Sequence, residues 1–96
     1  MGFFFDTPKP RVTESEWRKI RDNLYSLHGF TTRELDRVEE IFRGDMHEEN
    51  ERDKGIDSAE LVKGIQYMRD HIDTLYISKE KINALETEMI KYIAKS

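Results

Sequence analysis

Apolar residues recur along this chain at helical spacing, in four runs separated by polar breaks. Trp17, Ile20, Leu24 and Leu27 fall at i, i+3, i+7 and i+10, the stripe of an amphipathic helix. Leu35, Val38, Ile41 and Phe42 form a second stripe, Leu61, Ile65, Met68 and Ile72 a third, and Ile82, Leu85, Met89 and Ile93 a fourth. The spacing predicts helices near residues 14–28, 32–43, 58–71 and 79–94. Tyr25, Tyr67 and Tyr92 lie beside the stripes, where a ring packs and its hydroxyl stays wet.

Each predicted helix opens on the same six-residue pattern: an apolar residue, then Thr, Asp or Ser, two free positions, Glu or Lys, and a second apolar residue. The copies are Val12–Trp17, Phe30–Leu35, Ile56–Leu61 and Ile77–Ile82. In the first three, the Thr or Asp side chain can accept from the backbone N–H three residues on, while the Glu reaches back to the cap. The apolar pair forms a hydrophobic staple. The starts lie 18, 26 and 21 residues apart, which is not a tandem repeat.

The breaks between stripes have different characters. Gly29 is a natural helix C-cap, and the link it begins is so short that the first two helices must be neighbours. The second helix is expected to end at Gly44. From Gly44 to Ile56 the chain is polar and acidic, with no apolar period. Asp70 to Ile77 is a shorter connection, with Leu75-Tyr76-Ile77 able to extend or pair. Residues 1–12 read as an extended N-terminal arm held by Pro8 and Pro10. Its Phe3, Phe4 and Phe5 are too apolar for a free tail and are expected to fold back and plug a gap in the helices; the alternatives are a disordered arm and one that docks a partner or swaps between copies.

Composition agrees with an all-α domain. Hydrophobic residues make up 36% and charged residues 38% of the 96 positions, so each helix buries one stripe and solvates the rest. The absence of Cys rules out disulfides, thiolate catalysis and Cys-ligated metal centres. No apolar run approaches the ~20 residues of a membrane span. The first residues lack the basic flank of a signal peptide, and Asp6 stands where a myristoylation signal needs Ser or Thr. A cytoplasmic location is the expectation.

The net charge of −4 resides wholly in residues 45–96. Within 45–60, seven acids (Asp45, Glu48, Glu49, Glu51, Asp53, Asp57, Glu60) face only Arg52 and Lys54. Such a patch opposes general binding to a phosphate backbone.

Part of this segment has metal-binding character. From Glu49 to Glu60, oxygen-bearing side chains fall at the first, third, fifth, ninth and twelfth of twelve places (Glu49, Glu51, Asp53, Asp57, Glu60), with Ile56 eighth. A hard cation collects six to eight oxygens from one tight loop in this way. The stretch resembles an EF-hand loop, and residues 32–72 would be its helix–loop–helix; the resemblance implies calcium, with Glu60 as the bidentate ligand. It departs from the family pattern at Lys54, which holds the sixth place where Gly is expected, and at Glu49, which holds the first where Asp is expected. Phe42 lies seven residues before the loop rather than four. The Ile56–Leu61 half of the match is also an ordinary capping box, used here at three sites with no acidic loop.

Two further chemistries can be weighed. The first two helices and the turn His28-Gly29-Phe30 have the length of a helix–turn–helix, with Arg33 and Arg37 on the second helix and Arg18, Lys19 and Arg21 on the first. Glu34, Asp36, Glu39 and Glu40 on the same helix turn that face into a mixed, solvated one. His28, His47 and His71 form no His-x-x-x-His or Glu-x-x-His motif. His28 and His71 read as partners of helix C-terminal carbonyls. The serines sit at caps or helix surfaces with no base beside them in sequence, and the carboxylates are exposed by pattern.

The chain is thus expected to be one all-α domain over residues 13–96 behind the 1–12 arm, either a four-helix bundle or paired helix–loop–helix units as in EF-hand domains. The expected function is a non-enzymatic protein-interaction or regulatory module without a cofactor. It would meet a protein partner, a basic one for preference, through Phe3, Phe4, Phe5, Asp45 and Glu48. The alternatives are a calcium-binding protein using Glu49, Glu51, Asp53, Asp57 and Glu60, and a helix–turn–helix DNA-binding protein. Oligomeric state is left open by the sequence.

Overall fold

The computed structural model describes residues 11–46 and 55–94. Among these it is all-helical, with no strand: α1 (Glu14–His28), α2 (Thr32–Met46), α3 (Ser58–Asp70), α4 (Ile72–Leu75) and α5 (Lys79–Ala94) pack together. α5 lies along both α1 and α3, while α2 is held by α1 and α3.

The four helix starts form as their sequence dictates. Thr13 Oγ1 accepts from the Glu16 N–H at 3.1 Å, and Glu16 Oε1 accepts from the Thr13 N–H at 3.0 Å. Thr31 and Glu34 close the same reciprocal pair at 3.1 and 2.8 Å, and Asp57 and Glu60 at 2.8 and 2.9 Å. At the fourth start only one bond forms, from the Lys81 N–H to Ser78 Oγ at 3.2 Å, because a lysine has no acceptor to return. All eight staple residues, from Val12 and Trp17 to Ile77 and Ile82, are buried.

The starts also meet in pairs. Val12 and Ile56 form an isolated antiparallel bridge, N–H to carbonyl at 2.8 and 2.9 Å in the two directions. This joins the head of α1 to the head of α3. Lys81 Nζ, at the third position of α5, reaches both oxygens of Glu34, at the third position of α2, at 2.8 and 3.0 Å. Lys81 also lies over the Phe30 ring. Nothing in the spacing of the four copies announces this pairing.

The core collects the predicted stripes, with Trp17, Ile20, Leu24, Leu35, Val38, Phe42, Leu61, Ile65, Met68, Ile82, Leu85 and Met89 all buried. α2 approaches α3 where Gly64 faces Phe42: a Cβ on Gly64 would lie 2.2 Å from Phe42 Cζ. At the Val12–Ile56 bridge, Gly55 has φ +102°, and a Cβ there would lie 2.9 Å from the Val12 carbonyl oxygen. Both glycines are required by space, and Gly55 also by backbone conformation.

Four expectations need correction. α2 continues past Gly44 to Met46, because glycine is tolerated inside a helix that tertiary packing holds. The 70–77 connection contains a helical turn, α4, and Leu75-Tyr76-Ile77 makes no strand pairing. Tyr76 turns the chain at φ 57°, which sends Ile77 into the core. Leu27 is 71% exposed. At 100° per residue it stands about 80° round the helix from Trp17, on the edge of the stripe. His28 does not serve the α1 carbonyls but turns to Glu88 on α5.

Candidate functional site

An open groove of about 650 Å³ lies between α2 and α3 and reaches Leu75 of α4. α2 contributes Arg37, Glu40 and Ile41, which share one face by their i, i+3, i+4 spacing, and Phe42 beside them. α3 contributes Glu60, Lys63, Gly64 and Tyr67, and α4 contributes Leu75. Gly64 makes the groove possible, since α2 and α3 close onto each other over its missing side chain. Ile41, Phe42, Tyr67 and Leu75 give an apolar floor, and charges stand round it.

Those charges differ in availability. Arg37 donates from Nη1 to the Leu75 carbonyl and lies 5.8 Å from the centre of the Tyr76 ring, so it locks α4 onto α2. Glu60 is engaged by the Asp57 N–H and by Arg11. Glu40 and Lys63 have no hydrogen bond or ion pair among the described residues. Tyr67 stacks on His71, ring centres 4.1 Å apart, and His71 Nδ1 meets the Tyr67 carbonyl at 2.7 Å, the helix-end role its position predicts. None of the lining residues among those described is a Ser, Thr, His or Cys.

The sequence-predicted site residues scatter. Phe3, Phe4, Phe5, Glu48, Glu49, Glu51 and Asp53 lie outside the described residues, and Asp45 is described only as a turn of α2 backbone. Asp57 and Glu60 do come together, as a capping box with a cation already on it. Arg11 Nη2 lies 3.7 Å from Asp57 Oδ2, and Arg11 Nη1 lies 3.4 Å from Glu60 Oε1 and 3.3 Å from the Gly55 carbonyl oxygen. A divalent ion taking these two carboxylates would have to displace the guanidinium. No group of three or more metal-ligating side chains gathers among the described residues.

The basic residues of the helix–turn–helix reading are mostly committed within the fold. Arg21 pairs with Asp36 at 2.8 Å and with Glu39 at 3.3 Å, while Glu39 also accepts from Trp17 Nε1 at 2.7 Å. Arg18 pairs with Glu14, and Arg37 is the α2–α4 lock.

One site escaped the sequence. Glu88 on α5 is 4% exposed and receives Lys91 at 3.0 Å, His28 Nε2 at 3.3 Å and Asn23 at 3.4 Å. Burial pushes its carboxyl up, but the bonds from Lys91, His28 and Asn23 outweigh that and hold it below its ordinary value. Glu34 is governed the same way. Burial raises it, and the Lys81 bond and charge with the two Thr31 bonds bring it lower. Three residues after Leu85, Glu88 falls on the α5 stripe, and that spacing was the available signal. The cluster ties α1 to α5.

Comparison with protein-family models, curated proteins and solved structures finds no match to this chain. Among the described residues, no helix is long and apolar enough to cross a membrane.

Proposed function

We propose that this chain is a non-enzymatic protein-interaction module whose α2–α3 groove takes an apolar segment of a partner protein. The observation that carries the reading is the groove itself. Its floor is apolar, it opens to solvent, and two of its rim charges, Glu40 and Lys63, have no hydrogen bond or ion pair among the described residues. Apolar anchors with charged edges are how short segments are held in grooves of this size. The rim acid Glu40 and the acid-rich sequence of residues 45–60 favour a segment with a basic flank. The bridge between Val12 and Ile56 and the Lys81–Glu34 pair support a paired helix–loop–helix arrangement over a simple up-and-down bundle.

Selection of peptides from a random displayed library against the chain tests this. The expected ligands are apolar-centred peptides with basic flanks, and their amide shifts map to Ile41, Gly64, Tyr67 and Leu75. Failure to select any ligand, or ligands that map to the α1–α5 face, overturns the reading.

A further inference from the structure

Arg37 differs from the other arginines that the fold holds. Among the described residues, Arg11, Arg21, Arg37 and Arg69 are half-buried. Three of them meet a carboxylate on another element: Arg11 meets Asp57 and Glu60, Arg21 meets Asp36 and Glu39, and Arg69 meets Glu86. Arg37 meets a neutral acceptor instead. Its Nη1 donates to the Leu75 carbonyl, and its guanidinium lies 5.8 Å from the centre of the Tyr76 ring. The residues behind these two contacts are themselves anchored. Ile72 and Leu75 pack against the core, and Ile77, next to Tyr76, is fully buried. A free arginine gives up rotamer freedom when a ligand fixes it. At Arg37 folding has already fixed the side chain, and that pre-organisation favours binding.

Chemistry and position then name what it binds. A guanidinium carries five N–H donors, and the Leu75 carbonyl engages one of them. The planar fork matches the two oxygens of a carboxylate, and a charged acceptor makes a stronger bond than a neutral carbonyl. The bond to Leu75 can stay in place while other N–H groups take the ligand. Arg37 lines the groove where it reaches Leu75. Glu40 lies one turn further along α2, about 4.5 Å down the axis, and the acid-rich sequence opens at Asp45 near the end of that helix. The α2 wall therefore runs from positive to negative, away from α4. We infer that Arg37 is the specificity-determining residue of the groove: it takes the side-chain carboxylate of an Asp or Glu in the partner segment. The segment then lies with its acid toward α4 and its basic flank toward Glu40. This rests on the groove reading above and deepens it, adding a second required charge and a direction.

The test uses the full chain and a random peptide library displayed as internal segments, so that no library member has a free C-terminus. Groove-binding sequences are expected to carry Asp or Glu on one side of the apolar anchors and Lys or Arg on the other. The tightest of them is synthesised with both ends capped, alongside a form in which its acid is replaced by the matching amide. Wild type is expected to prefer the acid form about tenfold, and the preference to shrink as salt is raised. Arg37→Gln should bind both forms alike, at the level of the amide form on wild type. Arg37→Lys keeps a donor for the Leu75 carbonyl and a charge but loses the fork, so it should keep only part of the preference. The Leu75 and Tyr76 amide signals report whether α4 stays docked in each variant. If Arg37 served only to hold α4, its loss would weaken both peptide forms equally, and that result overturns the inference. So does binding that needs a free C-terminal carboxylate and ignores the side chain, or a groove whose signals shift with protein concentration alone, which gives it to a second copy. Groove ligands with no enriched acid remove the role of Arg37 and leave the groove reading standing. Absence of any groove ligand removes both.

Discussion

Replacing Gly64 by alanine sets two effects of opposite sign against each other at the floor of the groove. In a helix interior, Gly→Ala is worth about 1 kcal/mol in favour of folding. Against it stands the Phe42 ring. The added Cβ would meet Cζ at 2.2 Å and Cε1 at 2.3 Å, where carbon atoms ordinarily touch at about 3.5–4.0 Å. Phe42 is 1% exposed, and its way out leads into the groove, at the cost of exposing ring surface. Overpacking of this kind costs typically about 1–3 kcal/mol, and an overlap well above 1 Å belongs at the upper end. Gly64→Ala is therefore expected to destabilise the fold by about 1–2 kcal/mol net. For a domain of this length, that lowers Tm by roughly 5–15 °C. Urea unfolding followed by Trp17 fluorescence and by far-ultraviolet circular dichroism measures it. The internal control is the same substitution in a Phe42→Leu background. With the ring shortened, the clash disappears and the helical gain of about 0.5–1 kcal/mol should emerge. A wild-type or higher stability for Gly64→Ala refutes the reasoning. So does a double-mutant coupling below about 0.5 kcal/mol.

Gly55→Ala should cost about 1–3 kcal/mol in thermal unfolding, since it places a side chain at φ +102° and 2.9 Å from the Val12 carbonyl oxygen; an unchanged Tm would contradict the close bridge. Glu88 and Glu34 have folded pKa values below their unfolded ones. Their contribution is therefore fully present above the ordinary glutamate value of about 4.3 and is lost as pH falls through the lower folded values. Denaturant unfolding between about pH 5 and pH 2 should show that decline in wild type, and a flatter one in Glu34→Gln/Glu88→Gln. An identical slope in the two proteins would remove both carboxylates from the account. Calcium at sub-millimolar concentration should leave the amide signals of Gly55, Ile56 and Glu60 where chelator leaves them, because Arg11 already holds Asp57 and Glu60. Large shifts there would favour the EF-hand-like alternative.

Much of the helical layout was legible because its determinants are local. A Thr or Asp cap, a Glu three residues on and an apolar pair around them can be read within six residues, and the helix starts at Glu14, Thr32, Ser58 and Lys79 follow from them. Stripe periodicity likewise placed Trp17, Phe42, Met68 and Met89 inside. Errors fell where a local signal meets a distant neighbour. Gly44 reads as a stop, and α2 runs through it. Glu88 reads as a solvated charge until Asn23 and His28 on α1 are brought to it. Leu75 reads as extended until Arg37 takes its carbonyl oxygen.

The candidate site was the least legible part. Its residues come from three helices, and along the chain none of them stands out. Arg37 and Glu40 look like a solvated face, Gly64 like a weak helix position, and Leu75 like a connection. What the sequence determined by itself was where helices begin and which stripe each one buries, since capping bonds and apolar periodicity act over three to four residues. Tertiary structure alone decided that the first cap pairs with the third and the second with the fourth. It also decided that Phe42 seats over Gly64 and that an open groove remains beside them. Those features arise from packing between segments distant in sequence, where the shape of one helix selects what its neighbour can bring close.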